Sequence, residues 1–392
     1  MTTRSRGLGF LRLVFALVVF LLSLLAVFPA PTYLAWELSV LVTEWGYVLA
    51  LLSLLAFLPG WKRSLLGKAS AVFGGIAFVL ALSPLVRAVP IVRSLPGALR
   101  ESFGNAPPRS LPNASPRPGP LVLRDLVAGV PIPRVQVATL TYIVRNGKPL
   151  QLDLYRPLTP DSTPLPVVIM IHGGSWRGGS RRDLPTLNRY LASHGYAVAA
   201  ISYRFAPEFP HPAASQDVHA AIRFVKANAG VLGIDSSRIA LIGRSAGGQL
   251  ALLAAYTEHD PAIRGAAGLY PPSDQVFGYE NPSNPRVINS TAILEAYLAG
   301  NPRTAAAAYA SSSPINFVGP STVPTLLIHG GSDELVWVRQ SERLDARLTA
   351  AHRPHFFLRL PWATHGCDYN FRGPCGQLST YAIERFVAAV TR

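Results

Sequence analysis

Apolar and polar residues follow three different rhythms along this chain. Up to about residue 90 there is scarcely a polar face at all. Runs of 24, 17 and 18 uncharged residues lie between Arg12 and Glu37, between Glu44 and Lys62, and between Lys68 and Arg87. Roughly 20 apolar residues in a helix cross a bilayer core, and shorter runs suffice when flanking side chains reach the interface. The pattern predicts a membrane domain over residues 1–90, with transmembrane helices at about 8–30, 41–61 and 69–89. A cleaved signal peptide fits the first run poorly, because Phe28 spoils a small-residue cleavage pattern ahead of Ala30 and two more runs follow.

Residues 91–134 break the pattern. The stretch from Asn105 to Pro120 holds six prolines, which favour extended backbone and predict a semi-rigid linker. From residue 135 strands and helices take turns. Val135–Val144 and Leu150–Tyr155 alternate around Asn146-Gly147, a hairpin signal. Short, almost wholly apolar runs then appear at Pro166–Ile171, Tyr196–Ile201, Ile239–Ile242, Ala266–Tyr270, Thr325–Ile328 and Phe356–Leu360. Amphipathic stretches of helical length separate them, including Ala214–Asn228, Ala246–Thr257, Val338–Ala350 and Leu378–Val390. The alternation predicts an α/β domain over 135–392, built on a mostly parallel sheet buried on both faces. A Pro/Ser/Asn-rich insertion at about 271–324 carries one helix-like run, Ser290–Leu298.

Composition sharpens the picture. Charged residues make up 15% of the 392, against roughly 25% in ordinary soluble proteins, which suits a chain partly in lipid. The net charge is +15, but it is scattered without Lys/Arg runs, so no nucleic-acid partner is expected. Two cysteines exclude a disulfide scaffold or a multi-Cys zinc site, and nothing implies a metal or cofactor. Arg4, Arg6 and Arg12 surround the start of the first run, and Lys62, Arg63 and Lys68 follow the second. Between the first two runs stand only Glu37 and Glu44. Positive charge stays inside, so the N-terminus is expected in the cytoplasm and everything after residue 90 on the extracytoplasmic side.

The chemistry concentrates after strands. Gly243-Arg244-Ser245-Ala246-Gly247 is a G-x-S-x-G between a strand and a helix, a turn so sharp that only small residues fit beside the serine. A serine needs a base and the base an orienting acid. Asp333 lies on the loop after Thr325–Ile328, and His365 on the loop after Phe356–Leu360. Ser245, Asp333 and His365 are therefore the expected catalytic residues, with Glu334 as the rival acid and His329 as a structural neighbour. His172-Gly173-Gly174-Ser175-Trp176 follows the strand Pro166–Ile171. There the N–H groups of Gly174 and Ser175 are expected to join that of Ala246 in an oxyanion hole. Asp217 is read as structural.

These motifs resemble the α/β-hydrolase superfamily, in its carboxylesterase and lipase branch that includes hormone-sensitive lipase. Ser202-Tyr203-Arg204-Phe205-Ala206-Pro207 and Ile234-Asp235 are similar to that branch's segments before the nucleophile. The resemblance covers about residues 140–392 and departs at Ser175, where a third glycine is frequent. The His-Gly-Gly-x-Trp form is also found in formamide-hydrolysing and feruloyl-esterase-like relatives. The resemblance implies an α/β-hydrolase fold, with the 271–324 insertion covering the site like a lid.

The reading that follows is a membrane-anchored serine esterase acting on a small-molecule or lipid ester through an acyl-enzyme on Ser245. An amidase or formamidase, an acyltransferase, and a non-catalytic binding module are the alternatives. The oligomeric state is not legible. Cys367 and Cys375 bracket a short segment in which Gly373-Pro374 can turn the chain back, so the two can approach disulfide distance just beyond His365.

Overall fold

The computed structural model describes residues 3–158 and 163–392. Helices α1 (Thr3–Leu24), α2 (Tyr33–Ser53) and α3 (Leu65–Phe103) come first, each long and apolar enough to cross a bilayer by length and composition. They pack closely. An added Cβ on Gly46 of α2 would meet the Ala81 carbonyl of α3 at 2.2 Å, so only glycine allows that approach.

The helix boundaries differ from expectation at both ends of each, and two of the differences have clear physical reasons. Helix α2 starts at Tyr33, where Thr32 caps it by accepting from the Ala35 N–H at 3.3 Å. Glu37 and Glu44 therefore stand in the helix rather than in a loop. Glu44 is fully buried, and its Oε2 accepts from the Cys375 N–H at 3.1 Å. Helix α3 runs 14 residues past the expected end at 89, through Pro84, Pro90 and Pro96. Ala88, Val92, Leu95, Leu99 and Phe103 recur at helical spacing and join the core of the α/β domain. That stripe outweighs the lost proline hydrogen bonds.

A short helix, α4 (Leu123–Ala128), precedes the sheet. The Pro-rich stretch expected to be a spacer lies against the domain. Arg117 is buried beside Asp125 (3.3 Å) and Gln377, and His194 Nε2 meets the Ser115 carbonyl at 3.0 Å.

The sheet has eight strands: β1 (Val135–Arg145), β2 (Lys148–Pro157), β3 (Leu165–Ile171), β4 (Ala197–Ile201), β5 (Ile234–Arg244), β6 (Ile263–Leu269), β7 (Thr325–Gly330) and β8 (His355–Leu360). Their order is β1-β2-β4-β3-β5-β6-β7-β8; β2 alone runs against the others, pairing antiparallel with both β1 and β4, and the remaining pairs are parallel. Asn146 and Gly147 both have positive φ, the twist-matched hairpin turn that Asn-Gly favours. Strands β3 and β4 are buried along their whole length. Helices cover both faces: α5 (Pro185–Ser193), α6 (Ala213–Ala227), the single turn α7 (Ala229–Leu232), α8 (Ala246–Thr257), α12 (Arg339–Ala350) and α13 (Pro374–Val390). Between β6 and β7 the insertion folds into α9 (Gln275–Glu280), α10 (Ser290–Leu298) and α11 (Ala306–Ser312).

Candidate active site

The turn from β5 to α8 holds Ser245 at φ +53 and ψ −123, a strained conformation for a residue with a side chain. Glycines on either side make it possible. A Cβ on Gly243 would meet the Gly247 carbonyl at 2.0 Å, and one on Gly247 would meet the His172 carbonyl at 2.2 Å.

Three loops from the carboxyl edge of the sheet converge on this turn. His365 Nε2 lies 2.9 Å from Ser245 Oγ, and His365 Nδ1 lies 2.7 Å from Asp333 Oδ2. Asp333 Oδ1 accepts from the N–H groups of Leu335 and Val336, at 3.0 and 2.9 Å. Burial alone would raise the Asp333 pKa, but the His365 and His329 imidazoles outweigh it and hold the carboxyl well below its usual range. His329 stands 3.2 Å from Asp333 Oδ2, with its Nδ1 held by Ser341 Oγ at 2.7 Å.

Glu334 points elsewhere, accepting from the Ala30 N–H in the turn between α1 and α2. Burial pushes its pKa up to about 7; the Ala30 N–H opposes this and the nearby Asp333 charge adds to it. A carboxyl raised by folding contributes stability most fully below about 4.5, and that contribution is lost as pH rises through about 7. Glu334→Gln removes the titration. Its melting temperature relative to the parent protein is expected to rise between about pH 5 and pH 8, with activity little changed. A difference that stays flat with pH refutes this.

Ser175 and Ala246 border the cleft beside Ser245 and His365. Gly174 stands behind Ser175 at φ +113, where a Cβ would strike the Gly178 carbonyl at 2.1 Å. Among the described residues, no backbone hydrogen bond engages the N–H groups of Gly174, Ser175 or Ala246. Ser175 itself has φ +55, a conformation that a glycine would adopt without strain.

Gln249, Tyr270, Tyr297 and Asp368 stand around the site without a local signal in the sequence. Trp176 borders the cleft and stacks on Tyr297 of α10, ring centroids 4.1 Å apart. Its indole N–H donates to Gln249 Oε1 at 2.9 Å, and Gln249 is tied to the Ser312 carbonyl at 2.6 Å. The cleft wall beyond the serine is mostly apolar, with Ile288, Ile293, Leu294, Val336 and Trp337 among polar Gln275, Asn281, Ser283, Ser290 and Gln340. Arg244, the variable residue of the turn motif, pairs at 2.5 Å with buried Asp368, to which Tyr270 also donates at 2.5 Å. The Tyr270 ring packs on His365 at 4.4 Å. Asp217 holds Arg204 at 2.8 Å, a structural pair. Cys367 and Cys375 are bonded, their Cα atoms 5.8 Å apart.

Residues 152–348, half of the chain, match the BD-FAE family. The chain belongs to the BD-FAE family. This family member is an α/β-hydrolase of the carboxylesterase branch. It is 33% identical over 271 residues to Esterase LipC of Mycobacterium tuberculosis, covering 64% of this chain and 65% of that protein. It is 30% identical over 259 residues to Probable carboxylic ester hydrolase LipM of the same organism, covering 62% and 59%. The chain thus spans less than two thirds of the length of either relative. Among solved structures, a Pyrobaculum calidifontis esterase aligns with TM-score 0.57 and 26% identity, over 66% of this chain and 85% of that one. Bacterial Heroin Esterase aligns with TM-score 0.59 and 23% identity, over 66% and 85%, a likeness of fold alone.

Proposed function

We propose that this BD-FAE member is a membrane-anchored serine esterase that cleaves carboxylic esters through an acyl-enzyme on Ser245. The observation that carries the reading is the hydrogen-bonded chain from Ser245 Oγ through His365 to Asp333, at the wall of a mostly apolar cleft. Ser245 Oγ attacks the ester carbonyl while His365 Nε2 takes its proton. Negative charge then develops on the carbonyl oxygen, within reach of the N–H groups of Ser175 and Ala246, with Gly174 N–H as the third candidate donor. His365 returns the proton to the departing alcohol. Asp333 fixes the imidazole tautomer and stabilises its positive charge. Water, activated by the same His365, then releases the acid and restores Ser245.

The helices α1–α3 serve as the anchor in this reading, with the N-terminus cytoplasmic and the hydrolase outside. Hydrolysis of p-nitrophenyl esters of graded acyl length, against a Ser245→Ala control, tests the activity. A membrane-impermeant fluorophosphonate tests the placement. It is expected to label Ser245 in intact cells, and labelling only after lysis reverses the orientation. Cys367 and Cys375 follow from the same compartment: outside the cytoplasm a disulfide persists. Alkylation without reductant is expected to leave both unmodified. Two modified thiols in fresh membranes contradict both the bond and the placement.

A further inference from the structure

Several polar contacts between the apolar helices and the hydrolase fall at one edge of the sheet, apart from the C-terminal part of α3, which runs on across the domain to Phe386. Ala30, in the turn from α1 to α2, donates to Glu334 on the loop after β7, next to Asp333. The Tyr33 N–H donates to the Arg286 carbonyl in the insertion after β6, at 3.1 Å. Arg87 of α3 donates to the Pro361 carbonyl after β8, at 2.8 Å, on the loop that carries His365. Buried Glu44 of α2 accepts from Cys375, and Asn370 donates to the Glu44 carbonyl at 3.3 Å. Every one of these partners lies beyond the carboxyl end of a strand. The helices therefore meet the same edge on which Ser245, Asp333 and His365 converge.

The surroundings of the cleft mouth match that placement. Leu335, Val336 and Trp337 follow Glu334 directly and line the cleft, and Trp337 is 38% exposed. The turn beside them is flanked by exposed Val27, Phe28, Tyr33 and Leu34, with Phe28 59% exposed. The opposite edge of the sheet is charged, with Lys226, Arg238, Asp260, Arg264 and Arg392 around one shallow groove. Apolar side chains and an exposed tryptophan suit the boundary of a bilayer, and clustered charges suit water.

We infer that the cleft opens at the bilayer surface and takes its ester from a membrane lipid, the acyl chain passing along Trp337 and Val336 toward Ser245. This rests on the anchored-esterase reading. A lipid ester then reaches the serine by moving laterally and upward a short way, without crossing water. Burial of its chain against the apolar wall replaces burial among lipid tails, so extraction costs little.

Surface dilution tests it. The full chain is reconstituted in vesicles of ether-linked phosphatidylcholine, which it cannot hydrolyse, containing dioleoylglycerol as the probe. Bulk dioleoylglycerol is held constant and below saturation while its surface fraction is diluted about tenfold, and the initial rate of oleate release is expected to fall by about the same factor. Hydrolysis of water-soluble p-nitrophenyl acetate by the same vesicles is expected to stay constant. The inference is overturned if p-nitrophenyl acetate is cleaved but no oleate is released, or if oleate release ignores surface fraction. If neither ester is cleaved and a fluorophosphonate leaves Ser245 unlabelled, the esterase reading itself has failed, and the inference with it.

Discussion

Ser245→Ala is expected to abolish fluorophosphonate labelling and to lower ester hydrolysis by about 10⁴- to 10⁶-fold while the protein folds normally. The side chain contributes one hydroxyl at a glycine-lined turn, so little packing is lost. His365→Ala is expected to cost about as much, because without the base the hydroxyl keeps its proton. Asp333→Asn keeps the shape but is expected to cost about 10⁴-fold, since an amide presents N–H to the imidazole and favours the wrong tautomer. At about 1.4 kcal/mol per tenfold change, that is about 5.5 kcal/mol of lost transition-state stabilisation. Full labelling of the Ser245 variant refutes the assignment. A mild Asp333→Asn beside a severe Glu334→Gln moves the acid by one residue.

Asp368→Ala is expected to be the most damaging substitution outside these three. Arg244 and Asp368 are both buried, and burial disfavours the Arg244 charge while Asp368, with Tyr270 and Asp183, more than restores it. Removing Asp368 leaves a buried guanidinium without its partner, a defect that typically costs about 3–5 kcal/mol. The pair also joins two loops. Arg244 precedes the nucleophile, Asp368 lies three residues past His365, and Tyr270, which donates to Asp368, packs against the His365 ring. Loss of Asp368 is thus expected to lower kcat more than it raises KM, along with the melting temperature. Asp368→Asn keeps an acceptor for Tyr270 and is expected to be milder on both. Unchanged kcat in a destabilised Asp368→Ala would make the pair purely structural.

Motifs confined to one turn were legible in the sequence, and pairings between distant turns were not. The strand–turn–helix around Ser245 and the loops of Asp333 and His365 each show locally, because a sharp turn needs glycine and a buried strand needs an apolar run. Expected strands differ from the structure by a few residues at their ends, the largest gap being β5, which begins at Ile234. Arg244–Asp368 spans 124 residues, and neither residue has a periodic or compositional mark. The Trp176–Tyr297 stack depends on how the insertion folds back, which no local pattern encodes. Helix α3 was partly readable. Its stripe at Ala88, Leu95 and Leu99 has the helical period, but three prolines and Arg87, Arg93 and Arg100 conceal it.

That stripe has a consequence for how the protein matures. Leu95 and Leu99 are almost wholly buried among residues of the hydrolase, and Phe103 packs edge-on against Phe386 of α13 at 4.9 Å. Burying a leucine is worth about 1.5–3 kcal/mol, a large part of the net stability of an ordinary domain. A chain begun at Gly104 would fold with an open apolar trough along α13, so such a fragment is expected to aggregate or melt early. The hydrolase domain and the end of its N-terminal helices thus share one core. The domain is completed only when α3 is already in place, which ties the birth of activity to the seating of the segment synthesised before it.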